Sequence, residues 1–241
     1  MRFEIINSGC LSVQEAMLKD EALLRQLRPD SAVILHLYII SKDGITHGYF
    51  NQPHLHLNIE NLLRHGMQLA RRPTGGGIIF HFTDFAFSLL IPGKHPVLST
   101  QTLNNYAWIN RWVAHVLTLF KNDLAYPICY AQDLQNHSDV GFCMAQPTVY
   151  DLLIAGKKVA GAAQRRTHNG LLHQGSISLT LPSPKIMKDI LLNQEIFSAM
   201  QESSHCLLND GAMGETLQSA RIRLQQLLSS ALNHPLLTGV V

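Results

Sequence analysis

One stretch of the chain, residues 143–177, carries side chains and spacings that suit chemistry on an acyl or phosphoryl group. Lys157 and Lys158 stand in a glycine-punctuated segment, and such backbone brings N–H groups close to a ligand. Lys158 supplies a cation, and upstream Cys143 supplies a thiol, which becomes a nucleophile when a nearby cation stabilises its thiolate. The residues around Lys158 are small and would leave room for a ligand against the backbone: Gly156, Gly161, Ala162 and Ala163.

A second stretch, residues 71–77, reads Arg-Arg-Pro-Thr-Gly-Gly-Gly and runs into a predicted strand that ends at His81. Three consecutive glycines are entropically costly to order, and an anion-binding loop with arginine as the fixed charge is their commonest use. No Gly-Lys-Ser/Thr sequence follows, so this is not the phosphate-binding loop of nucleotide hydrolases. The candidate ligand-binding residues here are Arg72, Thr74, Gly75, Gly76, Gly77 and His81.

The composition is that of a globular chain with a sizeable core. Of 241 residues, 46% are hydrophobic and 15% are charged, which excludes a disordered protein. The four cysteines have no metal-ligand spacing, so we expect no metal. A net charge of +2 is too small to indicate nucleic-acid binding, but it suits acidic protein partners. No apolar run reaches the ~18–20 residues of a membrane helix, and no leader is recognisable, so we predict a cytoplasmic protein without membrane contact.

Hydrophobic periodicity, capping residues and turn residues predict a single domain over residues 1–241. Strands are predicted at residues 2–6, 33–40, 45–50, 78–81, 85–91 and 127–130, and as a pair at 150–155 and 171–181. Helices are predicted at residues 12–27, 58–69, 102–120, 183–200 and 213–232, the first with a capping box from Ser12 and Glu15. Residues 131–140 are predicted to form a loop that acts as a lid. The C-terminal part, residues 183–241, is expected to be helical and too short for a full accessory domain.

Together the two stretches resemble the lipoate/octanoate attachment family, which shares its catalytic fold with biotin protein ligases. The likeness rests on residues 71–77 with His81, and on residues 156–164 with 173–176. Weaker matches lie at Met17, at residues 20–24 and at residues 48–50. The resemblance implies an α/β (α+β) fold, with a mixed β-sheet and packed helices, like the biotin/lipoate protein ligase catalytic domain.

In the octanoyltransferase branch of this family, a cysteine stands just before a Pro-Ser/Thr-x-Tyr-Asp/Glu segment, and a lysine follows. The same order occurs here in Cys143, Pro147, Thr148, Tyr150, Asp151 and Lys158. The resemblance implies that an octanoyl or lipoyl group passes from acyl carrier protein, through a Cys143 thioester, to a lysine ε-amine on a lipoyl domain. Lys158 would hold the oxyanion, no cofactor would be required, and the enzyme would act as a monomer. An apolar tunnel for the acyl chain would be lined by Ile78, Phe80 and Phe87.

Two other functions fit the same motifs. An ATP- and Mg²⁺-dependent lipoate-protein ligase is favoured by the unbroken run Gly75-Gly76-Gly77. It is opposed by Cys143 and by the absence, after His81, of the Gly-Asn pair that such ligases usually carry. A non-catalytic acyl-binding module is favoured by departures from the family pattern at His36, Phe82 and Ala162.

Each candidate residue also has a purely structural interpretation. Cys143 would then be a small buried hydrophobic residue, as free cysteines usually are. Lys158 would be a solvated turn lysine, Arg72 would flank a turn, and His81 would be a packed strand histidine.

Overall fold

A seven-stranded sheet forms the centre of the molecule. The computed structural model describes residues 2–121, 126–131, 147–208 and 213–238, with the side chains of residues 236 and 238 excepted. The strand order is β1-β2-β6-β10-β9-β8-β7, with β1 and β2 parallel and every other pair antiparallel. These strands are β1 (Phe3–Leu11), β2 (Val33–Ile40), β6 (Asp84–Pro92), β7 (Ile128–Tyr130), β8 (Leu152–Ile154), β9 (Lys157–Arg166) and β10 (Gly170–Ser178).

A second sheet has three strands in the order β4-β3-β5. They are β3 (Gly44–His47), β4 (Gln68–Arg71) and β5 (Ile78–Phe80). Strand β3 pairs in parallel with β4 and antiparallel with β5. The glycine-rich segment at residues 72–77 therefore has to cross from one edge strand of this sheet to the other.

The helices cover the two faces of the large sheet unequally. They are α1 (Val13–Gln26), α2 (Ile59–Arg64), α3 (Thr102–Phe120), α4 (Pro184–Ile190), α5 (Glu195–Ser203), α6 (Glu215–Ser230) and α7 (Pro235–Thr238), with 3₁₀ turns at Pro53–Leu55 and Ala231–Asn233. Helices α3 and α6 share the largest apolar core with one face, which includes Phe87 and Ile177 and is called the α3 face. Helix α1 packs near Tyr38 and Ala86 on the opposite face, called the α1 face.

Several predicted elements are confirmed. Strand β2 and helix α3 have the predicted bounds, and α1 begins after Ser12 with the predicted capping box to Glu15. The mixed sheet with packed helices is the predicted fold class.

Within the described ranges, no helix is both long and apolar enough to cross a membrane, and those ranges contain no group of three metal-ligating side chains.

Among the predicted elements that were wrong in their bounds, three have a local cause in the structure. The helix predicted at residues 58–69 ends at Arg64, because Gly66 turns the chain at φ +68° and β4 follows. The strand predicted at 45–50 ends at His47, since the Tyr49 amide donates to the Thr74 carbonyl and the Asn51 amide closes a turn on Gly48. The helix predicted at 183–200 is divided in two, because Leu191 pairs with Leu57 between α4 and α5.

Candidate active site

Lys158 is positioned by a tight hairpin between β8 and β9. The two turn residues, Ala155 and Gly156, have φ angles of +51° and +75°, as a type I′ hairpin turn requires. Gly156 is exposed, and the turn geometry accounts for its identity. A shift of register between Leu152 and Leu153 then places an irregularity in the ladder beside Lys158. The segment predicted as a glycine-rich centre is thus mostly a regular strand.

The Lys158 ammonium is buried in an ion pair. Its Nζ lies 2.6 Å from Oδ2 of Asp151, and the lysine is 3% exposed. The same Oδ2 accepts hydrogen bonds from the Thr148 amide at 2.7 Å and the Thr148 hydroxyl at 2.9 Å. A Cβ added to Gly161 would lie 2.8 Å from Nζ, so a larger residue there would displace the ammonium from this position. The space that the sequence analysis reserved for a ligand at Gly161 is therefore filled by Lys158 itself.

Arg72 braces the glycine-rich loop from inside. Its guanidinium is buried, with 2% of the residue exposed. Nη2 donates to the carbonyls of Gly75 at 3.1 Å and Gly77 at 2.8 Å, while Nη1 donates to the Thr46 carbonyl and hydroxyl at 3.2 and 2.7 Å. These bonds fix the loop against β3, so in the described structure the cation acts on loop carbonyls.

The loop leaves its outer surface open at one point. A Cβ on Gly75 would meet no atom within 4 Å, so another molecule can approach that backbone closely. Gly76 has φ +91°, in the region that favours glycine. On the inner side, a Cβ on Gly48 would lie 1.9 Å from the Gly76 carbonyl oxygen. The loop therefore packs backbone against backbone at Gly48 and presents Gly75 outward.

His81 lies in the middle of a buried hydrogen-bonded chain. Its Nε2 is 2.7 Å from the Thr46 hydroxyl, and its Nδ1 is 3.0 Å from the nearer oxygen of Asp84. With its hydrogen on Nδ1, the ring donates to Asp84, and its Nε2 accepts from the Thr46 hydroxyl, which itself accepts from Arg72. The Ser176 hydroxyl donates to the same oxygen of Asp84, Oδ2, at 2.6 Å. Although Phe82 replaces the family's usual aspartate, Asp84 supplies a carboxylate to His81.

This first chain joins the two sequence motifs. Ser176 pairs across the strands with Gly161, over which the Lys158 ammonium lies. The connection thus runs from the arginine of the loop, through His81 and Asp84, to the strand pair that carries the lysine. Stretches that are far apart in sequence form one polar layer on the α1 face.

A second chain begins at Thr74, whose hydroxyl donates to Oε1 of Gln174 at 2.6 Å. The Gln174 amide donates to Oδ2 of Asp20 at 2.7 Å, and the Ser88 hydroxyl donates to the same oxygen at 2.6 Å. Nδ1 of His36 lies 2.7 Å from the other Asp20 oxygen. All three partners surround a fully buried carboxylate. Burial, reinforced by the Asp20 charge, also raises the pKa of Tyr38 well above its ordinary value.

Asp20 and Gln174 belong to this second chain, although the sequence motifs assign neither residue an individual role in the site. A signal for Asp20 was present, because it occupies the buried stripe of α1 between Met17 and Leu23. A carboxylate on the apolar face of a helix needs buried donors, which are found here on β2, β6 and β10.

Not all predicted residues come together. Gly161 and Ala163 face the same way as Ser176 and Gln174, whereas Ala162 pairs with Gly175 and points to the opposite face. His173 also points to the α3 face, where burial lowers its pKa to about 3 and the Gln164 amide donates to its Nδ1 at 3.0 Å.

The three residues predicted to line an acyl tunnel do not belong to one core. Ile78 and Phe80 belong to a core formed with α2, α4 and α5. Phe87 belongs instead to the α3 face, where its ring packs against Trp112. Cys143 and most of the predicted lid at 131–140 lie outside the described residues.

Comparison with known proteins points to one family. Residues 12–211 match the lipoyl protein ligase A/B catalytic domain. An octanoyltransferase LipM of Oceanobacillus iheyensis is 28% identical over 166 residues, 68% of this chain and 59% of that protein. An octanoyltransferase LipM of Carboxydothermus hydrogenoformans is 27% identical over 187 residues, 77% of this chain and 68% of that protein. The match to the first relative thus spans less than two thirds of its length.

A solved structure agrees on the fold. In an archaeal lipoylation system from Thermoplasma acidophilum, described as a bi-partite lipoate protein ligase and its E2 lipoyl domain, one chain matches with a TM-score of 0.59 and 15% identity. The match covers 100% of this chain and 96% of that one. The predicted fold of the catalytic domain is confirmed.

Proposed function

The chain belongs to the lipoyl protein ligase A/B catalytic domain family, and from that premise we propose that it is an acyltransferase of protein lipoylation. It transfers an octanoyl or lipoyl group to the ε-amine of a lysine on a lipoyl-domain protein. The observation that carries the proposal is the buried Lys158–Asp151 ion pair, together with the two hydrogen-bonded chains that connect the loop of the open Gly75 backbone to the strand pair carrying Lys158. The two LipM relatives support octanoyl transfer over ligation.

The proposed reaction has two acyl transfers. The Cys143 thiolate attacks the carbonyl carbon of a thioester on acyl carrier protein, and the carrier's thiolate leaves. The lysine amine of the lipoyl domain then attacks the Cys143 thioester, an amide bond forms, the Cys143 thiolate leaves and the amine loses a proton. No external oxidant, reductant or nucleotide is consumed.

We assign Lys158 the role of stabilising the negative charge that develops on the carbonyl oxygen in both steps. A fixed cation and backbone N–H groups stabilise such an oxyanion most effectively where water is excluded. The ion pair with Asp151 keeps the ammonium in place before the substrate arrives. We infer that the exposed backbone at Gly75 and the small residue at Ala163 border the acyl group, whose burial contributes about 0.8 kcal/mol per methylene.

The partners follow from the same proposal. The donor is an acyl carrier protein, and the acceptor is a lipoyl domain. The enzyme binds both as a monomer in the cytoplasm. We also propose that residues 1–241 form a single catalytic domain, because α5 and α6 contribute directly to the cores beneath the two sheets.

A second candidate is an ATP-dependent lipoate-protein ligase, which the unbroken Gly75-Gly76-Gly77 favours. Such an enzyme would take lipoate, ATP and Mg²⁺ as substrates, and Lys158 would meet the phosphate of an acyl-adenylate. The bi-partite ligase from Thermoplasma acidophilum has the same fold, which is compatible with this chemistry.

The test is the intact mass of the protein after incubation with octanoyl-acyl carrier protein, and separately with lipoate, ATP and Mg²⁺. We expect an octanoyl adduct from the carrier alone, removed by hydroxylamine and absent from Cys143→Ser. Lys158→Ala should slow adduct formation by about 100-fold, as loss of an oxyanion-stabilising group does. Lys157→Ala is the matched control, because Lys157 is exposed and bonds only weakly to the Gln201 carbonyl at 3.4 Å.

The outcomes separate the candidates. An ATP-dependent lipoylation of an added lipoyl domain, without any covalent adduct, would assign the protein to the ligases. Full carrier-dependent transfer by Cys143→Ser would refute the thioester route.

A further inference from the structure

One arginine of the C-terminal helices reaches the site from outside both sequence motifs. Arg221 lies on α6, which otherwise packs against α3 and the large sheet. Its Nε donates to the Asp84 carbonyl at 2.9 Å, and its Nη2 donates to the His81 carbonyl at 3.3 Å. A single planar guanidinium thus bridges the first and last residues of the turn between β5 and β6.

That turn determines how His81 and Asp84 meet. The two residues are three apart in sequence, and their side chains pair at 3.0 Å. The carbonyl between them, on Thr83, accepts from the amides of Leu179 and Thr180 at 3.0 and 3.1 Å. The turn is therefore held at its centre by the chain after β10 and at both ends by Arg221.

Charge and burial favour this contact. Arg221 is partly withdrawn from water, which lowers its pKa, while the carboxylates of Asp84 and Asp43 oppose that shift. The guanidinium stays charged at every physiological pH, and a charged donor makes stronger bonds to carbonyls than a neutral donor does. Its planar fork sets the separation of the two carbonyls, which a lysine at the same position does not do.

We propose that Arg221 is a positioning residue of the active site, which fixes the His81–Asp84 turn and thereby the chain from Arg72 to Ser176. The guanidinium touches no reacting group. It acts through Asp84, whose carboxylate accepts hydrogen bonds from both His81 and Ser176. The kinetic consequence rests on the proposed acyl transfer, whereas the structural consequence does not.

The same helix offers a matched control. Arg223 lies two residues further along α6 and faces α3 instead of the turn. Its guanidinium stacks over the Phe120 ring at 4.9 Å and bonds the Leu119 carbonyl at 3.5 Å. Removing Arg223 therefore perturbs α6 without touching His81 or Asp84.

The first experiment reads the His81 ring by ¹⁵N-histidine NMR, with its signals assigned by their loss in His81→Gln. In the wild type we expect a hydrogen on Nδ1, from the hydrogen bond of that nitrogen to Asp84. Arg221→Met should shift the ring signals or divide them between tautomers, while Arg223→Met leaves them unchanged. Unchanged His81 signals in a folded Arg221→Met would overturn the proposal. If Arg221→Met does not fold, Arg221→Lys keeps the charge, loses the fork and is measured in the same way.

The second experiment measures octanoyl transfer by the same variants. Arg221→Lys should lower kcat by about 10-fold or more, as small misplacements of catalytic groups do, with little change in the KM for the octanoyl carrier. Arg223→Met should match the wild type. A changed His81 signal with unchanged kcat would overturn the catalytic part of the inference. If the wild type transfers no acyl group, the proposed function fails and the NMR result still decides the positioning role.

Discussion

The two faces of the large sheet are built from the same strands but carry different kinds of side chain. On β10, His173, Gly175 and Ile177 point to the α3 face, while Gln174 and Ser176 point to the α1 face. The α3 face is an apolar core, and the α1 face carries the hydrogen-bonded chains. Because side chains alternate along a strand, a slip of one residue in β10 would exchange core and site.

The two faces also treat buried polar groups differently. On the α1 face, Asp20 and Asp84 each accept from at least two buried donors. On the α3 face, the imidazole of His173 is kept neutral by burial instead. Among the described residues, the buried carboxylates Asp20 and Asp84 thus lie on the face that supplies donors for them, which is what their desolvation cost requires.

The largest loss of stability should come from removing a large buried side chain from the α3 face. Phe87 is 1% exposed, and its ring fills the space above Gly175, where an added Cβ would lie 2.5 Å away. Phe87→Ala should lower the free energy of unfolding by about 3–5 kcal/mol, measured by urea denaturation. Phe50→Ala is the control, since Phe50 is 88% exposed and should change stability by about 0.5 kcal/mol or less. Equal losses in the two variants would mean that the α3 face is not the main core.

A smaller loss should follow from changing one acceptor on the α1 face. Asp20→Asn keeps the shape but puts an amide donor among the donors of Ser88, Gln174 and His36. We expect the unfolding free energy to fall by about 1–3 kcal/mol, the usual cost of an unsatisfied buried group. Glu21→Gln is the control, because its partly exposed carboxylate pairs with Arg25 at the surface. A stability at or above wild type for Asp20→Asn would show that the carboxylate is not needed to hold Gln174.

The smallest predicted effect is a change in the free energy of unfolding with pH, which His173 on the α3 face causes. His173 has a pKa of about 3 when folded and about 6.5 when unfolded, so the unfolded chain binds the extra proton between those values. Its stabilising contribution is complete above pH 6.5 and falls by about 1.4 kcal/mol per unit as the pH is lowered towards 3.

The measurement compares His173→Leu with the wild type in urea at pH 7.5 and pH 5.5. The difference in unfolding free energy between the two proteins should shift in favour of His173→Leu by about 1.4 kcal/mol at the lower pH. His54→Leu, at an exposed position, serves as the control. A difference that does not change with pH would contradict the neutral, buried imidazole.

The sequence was most informative where the determinant of structure is local. The capping box at Ser12 and the apolar periodicity of residues 102–120 predicted α1 and α3 because both signals act within a few residues. The two motifs also predicted a site at Lys158 and the glycine-rich loop, and that assignment stays a prediction. Their relation to one another was not predictable, since Thr74 and Gln174 are 100 residues apart.

The errors have physical causes as well. Residues 68 and 69 fall inside the predicted helix at 58–69 because the apolar spacing suits one, yet pairing with β3 overrides that preference. Gly161, Ala162 and Ala163 were grouped by size, although strand alternation separates the middle residue from its neighbours. The spacing also could not show that Arg72 donates to the carbonyls of its own loop, while its role toward an external anion stays a prediction.

The contact between Gly48 and Gly76 has a consequence for protein engineering. Since any side chain at position 48 would collide with the Gly76 carbonyl, the glycine-rich loop cannot be transplanted as the contiguous segment 71–77 alone. A graft into another scaffold must bring a second strand end with glycine at the facing position. The portable unit is therefore a discontinuous one, and a search for it by local sequence alone would retrieve loops that lack half of their support.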